Sequence, residues 1–342
     1  MRKEVVLITG ANGEIGHGLI TLLGSEGRVR ILALDLKQID GCLEEYCDRF
    51  IQGDILDKML LGRLMAEYEI TTIYHLASIL STKAEYNPET AHEINVEGTL
   101  NLLRLGVELS QWQGKSVKFI YPSSIAVYGI PDLKTKKEDG KIKEHQWCRP
   151  ITMYGCNKIY CEHLGRYYSR HYRQLAKDQI RNTIDFRCIR FPGLISADTL
   201  PTGGTSDYGP EMLHHAAQGL PYECFVRKDT RIPFMAMPDA IKALLEIEKA
   251  PKEELTQLSY NVTSFSPSAE EIETFVIRAF PEAKISYEIQ SSRQAIVDSW
   301  PQDVDDTPAR QDWGWKPDFD VERSFNEYLI PAIKTRYLNS DC

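Results

Sequence analysis

Cysteine is scarce, with 8 residues in 342. That is far below the roughly 8–10% of a disulfide scaffold, so the thiols are expected to be reduced packing residues. Cys42 and Cys47, and Cys156 and Cys161, stand five apart, and neither pair has the Cys-x-x-Cys form of a zinc ribbon or redox site. His214-His215 would point to different sides of a helix with no carboxylates at ligand spacing, so both are expected to be solvent-facing or hydrogen-bonded, and no metal is expected. No uncharged apolar run approaches the ~18 residues that span a bilayer, and Met1-Arg2-Lys3-Glu4 opens into a strand-like segment without a signal-peptide pattern. These absences argue against a membrane protein and lead us to expect a cytoplasmic one. Positive charge is not in excess either: 40 Lys+Arg against 49 Asp+Glu gives a net charge of −9 with the basic residues scattered, which argues against a nucleic-acid-binding surface. No internal repeat or low-complexity tract is visible.

What is present is a globular composition, 42% apolar and 26% charged, in a chain long enough for about two structural units. Short apolar runs alternate with helical patterns: Val5–Thr9 then Glu14–Leu23, Val29–Leu34, Phe50–Ile51 then Asp57–Glu69, Thr72–Leu76 then Pro88–Leu109, and Val117–Tyr121. A helical stretch from Ile151 to about Tyr172 leads to the strand-like Ile184–Arg190. Such alternation predicts an α/β fold, a doubly wound parallel sheet covered on both faces. After Pro192 the chain is richer in Gly, Pro and Trp, which predicts a smaller substrate-binding lobe. We therefore expect units at 1–190 and 191–342, the second with a possible return to the first. The charged run Lys134–Glu144 reads as a solvated loop insertion.

The first strand ends in Thr9-Gly10-Ala11-Asn12-Gly13-Glu14-Ile15-Gly16, a T-G-x-x-G-x-x-G turn opening a helix. Glycines there let the backbone approach a pyrophosphate, whose charge sits on free N–H groups at the helix start. Gly10, Asn12, Gly13, Ile15 and Gly16 are the candidates. The second strand ends at Asp35, placed to accept hydrogen bonds from adenosine ribose hydroxyls and to repel a 2′-phosphate, which favours NAD over NADP. Asp54-Ile55, after the third strand, stands where an adenine amino group could be met, though Asp54 reads equally well as a turn aspartate. Tyr154 and Lys158 are one helical turn apart, and Tyr154 is the only tyrosine with a lysine at that spacing. A cation there could stabilise a phenolate acting as a base. Ser124 ends the strand at the carboxyl edge, where open α/β sheets bind ligands, and offers a hydroxyl to a reacting oxygen.

Thr9–Gly16, His75-Leu76-Ala77, Asn95-Val96-Glu97-Gly98-Thr99, Ser123-Ser124, Val127-Tyr128-Gly129 and Tyr154-Gly155-Cys156-Asn157-Lys158 occur in the order found in the extended short-chain dehydrogenase/reductases, which this chain resembles over most of its length. The resemblance implies a Rossmann-type domain, bound NAD, and the catalytic group Ser124, Tyr154 and Lys158. It also implies that Leu76, Ala77, Ser78 and Asn95 belong to the cofactor site or its support. Ile125-Ala126 after Ser124 replaces the Asp-Glu pair of the nucleotide-sugar dehydratases, and Arg231–Ala240 differs from the Arg-Asp-Phe segment typical of the epimerases. Arg190–Ser196, Gly203–Tyr208, Ile232–Ala240, Asp298–Pro301 and Asp312–Pro317 are similar to the L-threonine 3-dehydrogenase branch. That likeness implies oxidation of the small substrate L-threonine at Cβ, with Ser81, Gly193 and Thr205 as substrate contacts. The Gly203-Gly204 pair either lets the loop before Thr205 close or is a plain surface turn, and a homodimer is expected. A nucleotide-sugar 4-epimerase is the alternative. The segments 134–146 and 170–181 look like insertions that touch no motif.

Overall fold

Along the first strand, β1 (Lys3–Thr9), Val5 and Leu7 join the apolar layer on one face of a sheet, while Val6 and Ile8 join the layer on the other. A strand buried on both faces cannot alternate apolar with polar, which is why these runs are continuous. The computed structural model describes residues 3–177, 183–197, 199–201 and 203–338. With β2 (Ile31–Asp35), β3 (Arg49–Gln52), β4 (Tyr68–His75), β5 (Lys118–Ser124), β6 (Asp185–Phe191) and β7 (Ser259–Asn261), β1 forms a parallel seven-stranded sheet. The strand order is β7-β6-β5-β4-β1-β2-β3. From β1 the chain winds outward through β2 and β3, then returns to the other side of β1 at β4. The direction therefore reverses between β1 and β4, and the ends of those strands open a crevice of the kind that binds dinucleotides. This is the doubly wound Rossmann-type arrangement expected from the sequence.

The helices that shape the site are α1 (Glu14–Glu26), α2 (Gly98–Gln113), α3 (Met153–Arg170), α4 (Met237–Lys249) and α5 (Ser291–Asp298). The stretch expected as one helix from residue 88 is three pieces: Pro88–His92, a π-helical turn Glu93–Glu97, and α2. Beyond residue 190 the chain builds a lobe whose core joins Tyr208, Phe225, Phe234, Phe275 and Phe325 to Ile125, Tyr128 and Ile142 from before residue 190. Residues from that half also serve the main sheet: α4 packs against α1, and β7 is the sheet's edge strand beside β6.

The run Lys134–Glu144 departs from the expected loop. Leu133–Asp139 is a helix, Lys141–Ile142 pairs with Asp303–Val304, and Ile142 is fully buried. Lys136 is buried too: its ammonium donates to the Val297 carbonyl at 3.0 Å, in the last turn of α5, where a cation is favoured. Of the stretch 170–181, residues 178–181 lie outside the described part of the chain. His214 Nδ1 is 2.8 Å from the Tyr337 hydroxyl and His215 Nδ1 is 2.9 Å from the Pro221 carbonyl. No helix of the described residues is long and apolar enough to cross a membrane, and among them no group of three or more His, Cys, Asp or Glu could hold a metal.

Candidate active site

The turn after β1 is built by contact. Gly10 has φ +69°, and a Cβ on it would lie 2.6 Å from the Ala77 amide nitrogen, so only glycine lets this turn lie against the segment that follows β4. Gly16 packs on the Ala11 carbonyl. Gly13 precedes α1 as its N-cap and offers no side-chain cap, leaving first-turn N–H groups for an anion. Asp35 accepts from the Asn12 amide (Oδ2, 3.0 Å) and the Lys37 amide (Oδ1, 3.0 Å), while Asn12 Nδ2 donates to the Gln38 carbonyl at 2.8 Å. Each carboxylate oxygen keeps a second lone pair for a ribose hydroxyl. A glycine cradle, an uncapped helix start and a strand-end carboxylate fit a nicotinamide dinucleotide. Asp54 takes the turn role, its Oδ1 accepting from the Leu56 amide at 2.9 Å, and Ile55 is buried against Gly98. Ile15 packs into the apolar layer. Sequence reasoning overlooked Glu14, the first residue of α1, whose carboxyl is pushed up by burial and by the like charge of Asp207. A carboxyl held towards its neutral form lessens repulsion of a diphosphate.

Asn95 lies in the π-helical turn and is buried. Its Oδ1 accepts from the Ile79 amide (2.7 Å) and the Ser78 hydroxyl (3.0 Å), and its Nδ2 donates to the Ile79 carbonyl (3.0 Å) and to Asn157 Oδ1 (3.2 Å). One side chain thus fixes the segment Leu76-Ala77-Ser78-Ile79 against α3.

Ser124 ends β5, and its hydroxyl oxygen accepts from the Ala126 amide at 3.2 Å, leaving the O–H free to donate elsewhere. α3 is capped by Thr152, whose Oγ1 accepts from the Gly155 amide at 3.1 Å. A Cβ on Gly155 would collide with the Ala126 carbonyl, so α3 packs directly on the turn after Ser124 and brings Tyr154 beside that strand end. Lys158 donates to the Pro122 carbonyl at 2.7 Å, with its Nζ 4.7 Å over the Tyr121 ring and 5.4 Å over the Tyr154 ring. Burial lowers Lys158 to about 8, against the pull of Cys161, Cys188 and Glu162. The expected lowering of Tyr154 is not what this arrangement gives: burial pushes its phenol well above the ordinary value. The lysine is bonded to a carbonyl and lies over the ring, so in this state the desolvation of the phenol dominates.

Behind these residues lies a buried network that sequence reasoning also overlooked. The Ser123 hydroxyl donates to Glu162 Oε1 at 2.6 Å, and Arg190 donates to both carboxylate oxygens (Nε to Oε1 2.9 Å, Nη2 to Oε2 2.7 Å). Arg190 Nη1 donates to the Tyr128 hydroxyl at 3.0 Å and to the Glu144 carbonyl at 2.6 Å, and Tyr128 donates to Asn261 Oδ1 at 2.6 Å. Glu162 is one turn beyond Lys158, and a glutamate on the buried face of α3 was the available signal. The segment 134–146 therefore does reach the motifs, through the Glu144 carbonyl.

On the lobe side, Thr205 is buried and its hydroxyl is 3.2 Å from that of Ser81, 124 residues away. Thr82 Oγ1 donates to the Gly203 carbonyl at 2.8 Å, and Arg293 Nη2 to the Gly204 carbonyl at 2.8 Å. Gly193 does not offer its amide to a ligand: the N–H is bonded to the Pro233 carbonyl at 3.0 Å, and its Cα packs on the Phe234 ring.

Residues 6–263 match the family described as NAD dependent epimerase/dehydratase family. The chain is similar to the protein called "L-threonine 3-dehydrogenase, mitochondrial" of Bos taurus, 35% identical over 98% of this chain and 82% of the relative. Among solved structures it is similar to the L-threonine dehydrogenase of Clostridium difficile, at TM-score 0.85 and 31% identity over 98% of this chain and 99% of that one. It is also similar to a "Monomeric L-threonine 3-dehydrogenase from metagenome database", at TM-score 0.82 and 35% identity over 99% and 100%.

Proposed function

Since the chain belongs to the NAD dependent epimerase/dehydratase family, we propose that it is an NAD-dependent L-threonine 3-dehydrogenase, converting L-threonine to 2-amino-3-ketobutyrate. The observation that carries this reading is the Ser81–Thr205 contact. It joins the sheet domain to the lobe across the region next to α3, because the helix Ser81–Tyr86 packs on α3. Such closure suits a small zwitterion better than a nucleotide sugar, which needs a long groove with cations for its diphosphate. The similarity of the whole chain to proteins called threonine dehydrogenases supports it.

The dinucleotide would be held by the turn Gly10–Gly16, by Asp35 and by the segment that Asn95 fixes. When bound, the nicotinamide supplies an acceptor for the hydride that leaves Cβ of threonine. Ser124 donates its free O–H to the substrate oxygen and orients it. Tyr154 takes the hydroxyl proton, so that the Cβ–O bond becomes a carbonyl as the Cβ–H bond breaks. Lys158 supplies the nearby positive charge that a phenolate needs in a buried site. Asp35 favours NAD, since a 2′-phosphate there would face a like charge. We place the protein in the cytoplasm and propose a homodimer formed through the outer faces of α2 and α3, where Trp112, Tyr160 and Tyr167 are exposed. Incubating the purified protein with NAD and L-threonine, L-serine or UDP-glucose tests the function. NADH formation with threonine supports it, and interconversion of UDP-glucose and UDP-galactose without NADH would replace it with the epimerase.

A further inference from the structure

His75 is the last residue of β4, fully buried between the rings of Phe119 and Tyr121 (centroids 5.9 Å from each), and the reaction scheme makes no use of it. Both ring nitrogens are engaged: Nδ1 lies 2.9 Å from the Thr9 hydroxyl and Nε2 lies 2.9 Å from the Thr99 hydroxyl. The directions follow from what each atom can do. A carbonyl only accepts, so the Thr99 hydroxyl, 2.5 Å from the Asn95 carbonyl, donates there. Thr99 must then accept from His75, which puts the ring proton on Nε2 and leaves Nδ1 to accept from the Thr9 hydroxyl. The Thr9 oxygen in turn receives the Ala77 amide at 3.4 Å. Burial, helped by the charge of Lys158, lowers the imidazole to about 3, so the ring stays neutral and the chain keeps one direction.

This one-way chain begins at the backbone of Ala77, passes the residue before Gly10, crosses the His75 ring and ends on Asn95. Asn95 itself holds Ile79 and Asn157, which lies between Tyr154 and Lys158 on α3. We propose that His75 is a positioning residue for the dinucleotide, its two ring nitrogens fixing the glycine turn after β1 to the Asn95 turn so that both walls of the cofactor crevice keep their spacing. The inference rests only on the dinucleotide part of the reading above, and its readout is dinucleotide affinity, so it can fail or stand whatever the substrate proves to be.

The test is a cycle of Thr9→Val, Thr99→Val and the double variant, with NADH affinity measured by fluorescence and thermal unfolding followed without dinucleotide. Each single variant should weaken NADH roughly three- to tenfold, the worth of one neutral hydrogen bond. The double variant should be little worse than the worse single one, because cutting either end already frees the ring. Thr9→Ser and Thr99→Ser, which keep the hydroxyls, should restore affinity. NADH dissociation constants within about twofold of the parent in both single variants, with melting temperature alone reduced, would overturn the proposal, as would strictly additive losses. If a variant does not fold, its serine counterpart and the variant at the other end still decide the matter. A parent protein that binds NADH but leaves threonine unchanged would sink the substrate reading and leave this test intact.

Discussion

A phenol that burial holds protonated is a poor base at neutral pH, and that sets the behaviour expected of Tyr154. Its base form grows as pH rises, so turnover of threonine should climb from neutral towards alkaline pH, and Lys158→Met should move that climb to higher pH; a pH–rate profile of both proteins checks the sign. Tyr154→Phe should lower kcat by about 10²–10⁴-fold while leaving NADH affinity near the parent's, measured by steady-state kinetics and fluorescence titration. Asp35→Ala should narrow the preference for NAD over NADP, read as the ratio of the two kcat/KM values. These residues were legible in the sequence because each sits at a fixed local spacing: the glycine turn, a strand-end acid, a tyrosine and a lysine one turn apart. Glu162 and Arg190 were not. They are 28 residues apart and meet only because α3 packs against β6. The state of Tyr154 was also out of reach, since spacing reports proximity to Lys158 but not the desolvation that outweighs it.

At the scale of elements, the site depends on α3 lying directly on the turn after Ser124. Gly155→Ala puts a methyl against the Ala126 carbonyl, and should cost about 1–3 kcal/mol in denaturant unfolding and lower kcat by displacing Tyr154. The helix Leu133–Asp139 gives a second handle. Burial holds Lys136 at about 8, below its ordinary value, so between roughly pH 8 and 10 the unfolded chain binds more protons than the folded one. Stability should therefore rise with pH through that window, and Lys136→Met should flatten the rise, as melting temperatures across pH will show. Charge alone hid this helix from sequence reading: five lysines among three acids in Lys134–Glu144 suggest a solvated run, yet Lys136 on the inner face finds a helix-end carbonyl. The π-helical turn at Glu93–Glu97 was equally hidden, because five residues inside a continuous helical pattern are too few to show a period of their own.

For the whole molecule, the alternation of strands and helices reported the doubly wound sheet, since burial on both faces demands continuous apolar runs. It could not report that Thr205 would come to Ser81 across 124 residues, which is a property of how the lobe returns to the sheet. Assembly is open to direct measurement: a homodimer through α2 and α3 should sediment at about twice the chain mass of 39.1 kDa, and Tyr160→Glu with Tyr167→Glu should return it to the monomer. A solved relative described as monomeric makes the comparison informative. On the reading proposed above, the Ser81–Thr205 closure and the Ser124–Tyr154–Lys158 group serve oxidation of threonine by NAD. NADH formation by the purified protein, followed in parallel on L-threonine and UDP-glucose and repeated with Thr205→Ala, tests it most directly. NADH should form from threonine only, with the variant raising KM for threonine much more than KM for NAD; conversion of UDP-glucose to UDP-galactose with no NADH from threonine would overturn the threonine reading.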